Sequence, residues 1–389
     1  MRARRRIAAG LLACSLTLAH SAARAEETAS SPVQLVGNLQ NIQAEIAQGN
    51  LAAYAAQPKL LREISEAFSA TKPEVWRNSR EARAAIIYLL SGGQPRIIMH
   101  LIESGNIPAE DEKLMKGALA YMLGHEAEAE KLLGNADPKS LDPALGGQLA
   151  FVQSVLLTTI DAKKAIELLD FARLLMPGGL VEEAALRREV FLVGDTARDA
   201  DKFMTLAGQY LGRFPKSPYA DNFLRSFTAT LIRLRLAEDV DNFPKLESVM
   251  ENLSSDDRRA LFLTIARAAL VSGKIAMADV AASKALTLTQ TESGDEARGK
   301  LYQAAARTFT DQYESGLAQL QAIDSKKLPK RDVALLAAAR TVARRVREKT
   351  PAPAATAPTI ATDDPAVATI HLAEAALLKS QQPSSEGAQ

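Results

Sequence analysis

Glu103 stands beside Ser104 and Gly105, and a carboxyl held neutral in an apolar cleft could protonate a glycosidic oxygen. That requires a supporting frame, and no Gly-rich or Gln-containing segment follows Glu103 to build one, so the three residues read equally well as a helix end. The other reactive side chains are scattered. His100, His125 and His371 are distant from one another, no His-Glu-x-x-His helix occurs, and no metal is expected. Ser272-Gly273-Lys274 looks like the close of a phosphate loop, but Ala268 replaces its first glycine and Ile275 its Ser/Thr, so Gly273 reads better as a turn. No Gly-x-Ser-x-Gly elbow is present. No cofactor and no catalytic residue is expected, and a non-enzymatic role is the better reading.

The chain that must carry whatever function remains has 389 residues, 47% of them hydrophobic but only 5% aromatic. Much of the apolar content is Ala, a strong helix former and a poor strand former, which predicts an all-α fold packed through small residues. The 47 Lys and Arg nearly balance the 46 Asp and Glu, yet five of the basic residues lie within the first 25 positions, where there is no acid. Without that segment the balance is 42 to 46, too acidic for a dedicated nucleic-acid binder.

Those first residues read as an export signal. Met1–Arg6 is cationic, Ile7–Ala19 is largely apolar, and Ala23-Arg24-Ala25 supplies small residues at the two positions that a signal peptidase reads. Cleavage is expected between Ala25 and Glu26. The apolar run is shorter than the ~20 residues of a membrane span, so no stable span is expected. Leu11-Leu12-Ala13-Cys14 could instead be a lipoprotein box, but its apolar core would stop at Ala13 and Leu12 is bulky for its place. Cys14 is the only cysteine, and it leaves with the signal. The expected compartment is the periplasm.

Helix signals begin at once. Ser31-Pro32-Val33-Gln34 gives a cap, a first-turn proline and a capping-box Gln, and Leu35, Leu39, Ile42 and Ile46 form one stripe that ends at Gly49-Asn50. A second helix turns Leu60, Leu61, Ile64 and Phe68 inward. A third is predicted from Pro73 through Trp76, Ile86 and Leu89 to Gly92-Gly93. From about residue 108 a repeat sets in. Gly124 and Ala129, then Ala165, Ala172 and Pro177, then Ala200, then Gly273 and Ala278, and finally Gly316 recur at intervals of 35 to 38 residues, with one gap of 78. Small residues let paired helices approach and Pro forces an exit. The pattern predicts degenerate tetratricopeptide-like hairpins stacked as a solenoid; an irregular helical bundle is the alternative.

The expected organisation is a signal peptide at 1–25, a helical repeat domain at 26–349 and a Pro/Ala-rich disordered linker at 350–365. A short amphipathic helix at 366–380 and a disordered tail at 381–389 follow. Residues 325–349 carry a net charge of +7, with Arg340, Arg344, Arg345 and Arg347 prominent. They read as a solvated face, a docking face for an acidic protein surface, or a contact for anionic lipid.

Two stretches carry a resemblance. Ser31–Ile64, with its Ser-Pro-Val-Gln-Leu-Val and Lys-Leu-Leu-Arg-Glu-Ile segments, and Phe214-Pro-Lys-Ser-Pro-Tyr-Ala220 resemble the MotC family of periplasmic motility proteins from rhizobia and related alphaproteobacteria. The export signal and Pro/Ala-rich tail fit as well. The resemblance implies an accessory of the flagellar motor, needed for rotation, that acts through the periplasmic part of the stator protein MotB. It supplies no catalytic residue. The competing function is a general envelope-assembly or peptidoglycan-associated adaptor. A lytic transglycosylase, the family in which a Glu-Ser pair supplies the acid, lacks its supporting segments here.

Overall fold

Ser31 opens the first helix as its spacing requires: its hydroxyl accepts the Gln34 N–H, and the Gln34 side chain accepts the Ser31 N–H in return. The computed structural model describes residues 30–347, which form seventeen α-helices and short 3₁₀ or π turns, with no strand among the described residues. The all-α expectation holds. The export signal with Ala25 and Glu26, Cys14, His371 and the segments from 350 onward lie outside the described residues.

Helix α1 (Pro32–Ala47) follows the predicted limits, and α2 (Leu51–Ala70) turns Ile64 and Phe68 inward, both fully buried. The predicted third helix is two elements. Pro73–Arg77 makes one 3₁₀ turn; Asn78, extended at φ −82°, then accepts the Arg80 N–H and caps α3 (Ser79–Leu90). An asparagine that satisfies the next helix's first amides stops the one before it. Trp76 is buried against Phe68 in an edge-on contact at 5.2 Å. Ile97-Ile98-Met99 is helical, inside α4 (Pro95–Glu103).

Helices then come in pairs: α5 (Ala109–Met122) with α6 (Glu126–Leu133), α7 (Pro143–Leu157) with α8 (Ala162–Leu175), and α9 (Leu180–Leu192) with α10 (Ala200–Arg213). Beyond α11 (Ala220–Arg233) and α12 (Phe243–Val249), α13 (Ser255–Val271) pairs with α14 (Ile275–Thr287). Next α15 (Gly294–Arg307) pairs with α16 (Tyr313–Ala322), and α17 (Lys330–Arg347) ends the described chain. The 78-residue gap thus holds α11 to α13, and the seven-residue α12 lies against α10 rather than α11.

The small residues found in the sequence share one structural position. Ala129, Ala165, Ala278 and Gly316 are each the fourth residue of the second helix of a pair, and all four are buried. A Cβ on Gly316 would stand 2.8 Å from the Ala304 carbonyl of the preceding helix. That closeness is what a small side chain permits. Ala172 is buried in α8, while Pro177, in the turn after it, is exposed. In α10 the fourth residue is Phe203, not Ala200. Its ring stacks on Phe227 at 5.6 Å, and Tyr210 stacks on Phe223 at 3.8 Å. Aromatic rings fill the wider spacing between α10 and α11 that a large fourth residue imposes.

One contact departs from a purely sequential stack. Helices α1 and α3 fold back onto α9 and α7, so that Ala47 joins the large core that runs from Leu186 to Ala343. The chain reverses at Gly49, whose φ is +92° and whose Cβ would stand 2.4 Å from the Lys216 carbonyl oxygen. Gly49 is therefore required twice, for its backbone and for the approach.

Candidate interaction site

The residues of helix α9 repeat at the spacing of a buried stripe, yet they include acids. Glu182, Leu186 and Glu189, with Val193 just past the helix end, follow at steps of four, three and four, and each is buried. Every buried carboxylate of α9 finds a cation, as burial of charge requires. Glu182 meets Arg213 at 2.8 Å and accepts the Gly178 N–H. Glu189 meets Arg173 at 2.7 Å and Lys202 at 3.1 Å. Burial and nearby Asp170 raise the Glu189 pKa against the pull of those two cations. Glu183 accepts from the Tyr210 hydroxyl at 2.6 Å and pairs with Arg187 at 3.1 Å. Burial and the Glu183 charge push the Tyr210 phenol well up.

The Phe214–Ala220 segment closes over this seam. Phe214 is fully buried, the Ser217 hydroxyl reaches Glu183 at 3.5 Å, and the Arg187 guanidinium lies 4.8 Å from the centre of the Tyr219 ring. The same segment receives the turn between α1 and α2 through Lys216 and Gly49. Sequence reading missed the seam because two adjacent glutamates suggest a surface; their register with Leu186 and Val193 was the available signal.

A second feature is a groove of about 850 Å³ beside α8. Helix α6 stops after eight residues, where α8 and α10 have fourteen, and the missing turns leave Leu156, Leu168 and Phe171 as an apolar floor. Gln153 satisfies the end of α6 by donating to the Leu133 and Ala136 carbonyls at 2.8 and 2.7 Å. Lys131 and Lys139 stand at the rim, with the Lys139 ammonium 5.2 Å from the Phe171 ring centre.

The basic C-terminal segment divides in two. Arg340 donates to the Leu320, Gln321 and Ile323 carbonyls and so caps the end of α16. Arg344 and Arg345 are exposed, whereas the side chain of Arg347 lies outside the described set. Asp332, one of the two acids within residues 325–349, is fully buried between Arg267 and Arg298. It neutralises those two arginines rather than the exposed face.

The reactive residues stay apart. Glu103 is exposed at the last position of α4, outside any apolar cleft, and Ser104 turns its hydroxyl back onto the Leu101 carbonyl. Gly124 and Gly273 occupy turns at positive φ, and His125 beside Gly124 is exposed. Among the described residues no cluster of His, Cys, Asp and Glu could hold a metal, and no helix is long and apolar enough to cross a membrane.

The described residues thus form packed helix pairs with polar seams inside and a groove and a basic end outside. The chain belongs to the chemotaxis protein MotC family, whose profile matches residues 1–389. It is similar to the chemotaxis protein MotC of Rhizobium meliloti (strain 1021), with 28% identity over 338 residues, covering 87% of this chain and 77% of that relative. Family membership makes it a motility-related protein.

Proposed function

We propose that the protein is a non-enzymatic periplasmic scaffold of the flagellar motor that binds the periplasmic part of the stator protein MotB and is required for rotation. Membership along the whole chain in a family named for chemotaxis is the observation that carries this reading. The stacked hairpins support it. Helix pairs packed in succession offer an extended surface to a second chain. The scaffold acts by binding one arrangement of the stator more tightly than others, which shifts its population without any covalent step.

Deleting the gene should leave flagella assembled but paralysed, and crosslinking from intact envelopes should capture MotB. Deletion cells that swim normally but have a weakened envelope would move the protein to the envelope-adaptor reading. Export is tested by fractionation, with the mature N-terminus at Glu26.

A further inference from the structure

Arg188 breaks the pairing rule that its charged neighbours on α9 obey. Glu182, Glu183, Arg187 and Glu189 each meet an opposite charge, whereas Arg188 meets none among the described residues. Its Nη2 donates to the Thr158 hydroxyl at 2.8 Å, and its Nε is buried without an acceptor. Burial pushes the guanidinium below its usual pKa, and Arg187 next to it adds repulsion. The same burial raises the neighbouring Tyr121 phenol, so that residue is a neutral hydrogen-bond donor rather than a counterion. An arginine stays protonated at any pH the protein meets, so this site has no means of neutralising itself. A partly buried cation with one hydroxyl partner and no counterion is open to an anion at its accessible face.

The surroundings define what that anion is attached to. Tyr121 lies at the end of α5, Thr158 just past the end of α7, and Arg188 on α9, so Arg188 is bonded to one neighbouring first helix and feels the phenol of another. Two residues beyond Tyr121 stands Leu123, and two beyond Thr158 stands Ile160, at 46% and 65% exposure. Both belong to turns inside their pairs, which fall on one edge because the helices alternate in direction. Asp161, just after the α7 end, accepts the Lys164 N–H to cap α8, and Glu126 is exposed.

We infer that Arg188, with the Tyr121 phenol near it and the exposed Leu123 and Ile160 in the turns that follow Tyr121 and Thr158, receives a carboxylate side chain flanked by aliphatic residues on the partner protein. The inference deepens the scaffold reading above and rests on it. Charge complementarity fixes the register of the contact, and the exclusion of water by the two aliphatic side chains strengthens it.

Two measurements on the full mature chain test it. Isovalerate, a carboxylate on a branched aliphatic stem, should raise the melting temperature saturably at constant ionic strength, while isovaleramide should not. Arg188→Gln, which keeps a donor for Thr158, should abolish the shift. In envelopes, a photocrosslinker at Leu123 should capture the stator protein, and Arg188→Gln with Ile160→Ser should cut that capture by about 30-fold or more. A saturable shift that persists in Arg188→Gln, no shift in the unaltered chain, or capture that ignores both substitutions overturns the inference. Absence of any stator capture by the unaltered chain, together with an intact isovalerate response, would instead overturn the choice of partner.

Discussion

Tyr302 donates its hydroxyl to the Asp332 carboxylate across 2.7 Å, and neither residue is exposed to solvent. Arg267 and Arg298 approach the same carboxylate at 3.2 Å each, so one buried acid holds α13, α15 and α17 together. Asp332→Ala strands two guanidinium groups and should cost about 3–5 kcal/mol of stability. Urea unfolding followed by circular dichroism reads that loss, and Asp332→Asn should fall between the two.

The same hydrogen bond gives an alkaline signature. Burial pushes the Tyr302 phenol up to about 12, from 10.0 when free, with the Asp332 charge adding to the shift. The folded protein therefore holds this proton more tightly than the unfolded chain. Its stabilising effect is complete below the unfolded pKa and disappears as pH rises through the folded one. Unfolding midpoints should drop between roughly pH 10 and 12, and Tyr302→Phe should flatten that drop. Tyr210, shifted in the same direction, contributes to what remains.

Gly49→Ala should cost about 2–4 kcal/mol, the sum of a left-handed backbone strain and an overpacked contact with Lys216. Hydrogen exchange should show the loss first in α1 and in the Phe214–Ala220 segment. A loss confined to α2 would contradict the described contact.

The basic end should separate into structure and surface. Arg340→Ala leaves the α16 carbonyls without donors and should destabilise by about 1–3 kcal/mol. Arg344→Glu with Arg345→Glu should change stability by less than about 0.5 kcal/mol. If these two arginines steer an acidic partner, that double variant slows association and flattens its salt dependence.

Much of the fold was legible in the sequence where the signal is local. The Ser31–Gln34 box and the turns at Gly92, Gly124 and Gly273 each leave a short pattern and appear where it puts them, and Ala129, Ala165 and Ala278 are buried at matching helix positions, while Ala200 gives that place to Phe203. The Asn78 cap was hidden because Pro73-Glu74 is itself a good helix start. The α9 seam was hidden because a charge in a sequence carries no mark of the cation that will bury it. The burial of Asp332 was hidden for the same reason, since its partners lie 65 and 34 positions away. The groove had a local signal, the Gly134–Pro138 stop, but its volume depends on comparison with the longer helices around it.

The return of α1 onto α9 has a consequence for how the molecule is made. A strictly sequential array can assemble as it emerges, each hairpin docking on the last. Here Val36 and Leu39 of α1 settle on α2 and α3 as those emerge, but the C-terminal end of α1, with Ala47, has no partner until Leu180–Leu192 has been synthesised. Closing that long loop is a high-contact-order step, slow by comparison with the local pairing around it. Refolding should accordingly show a late phase that Gly49→Ala slows and that substitutions in α14 to α16 leave unchanged.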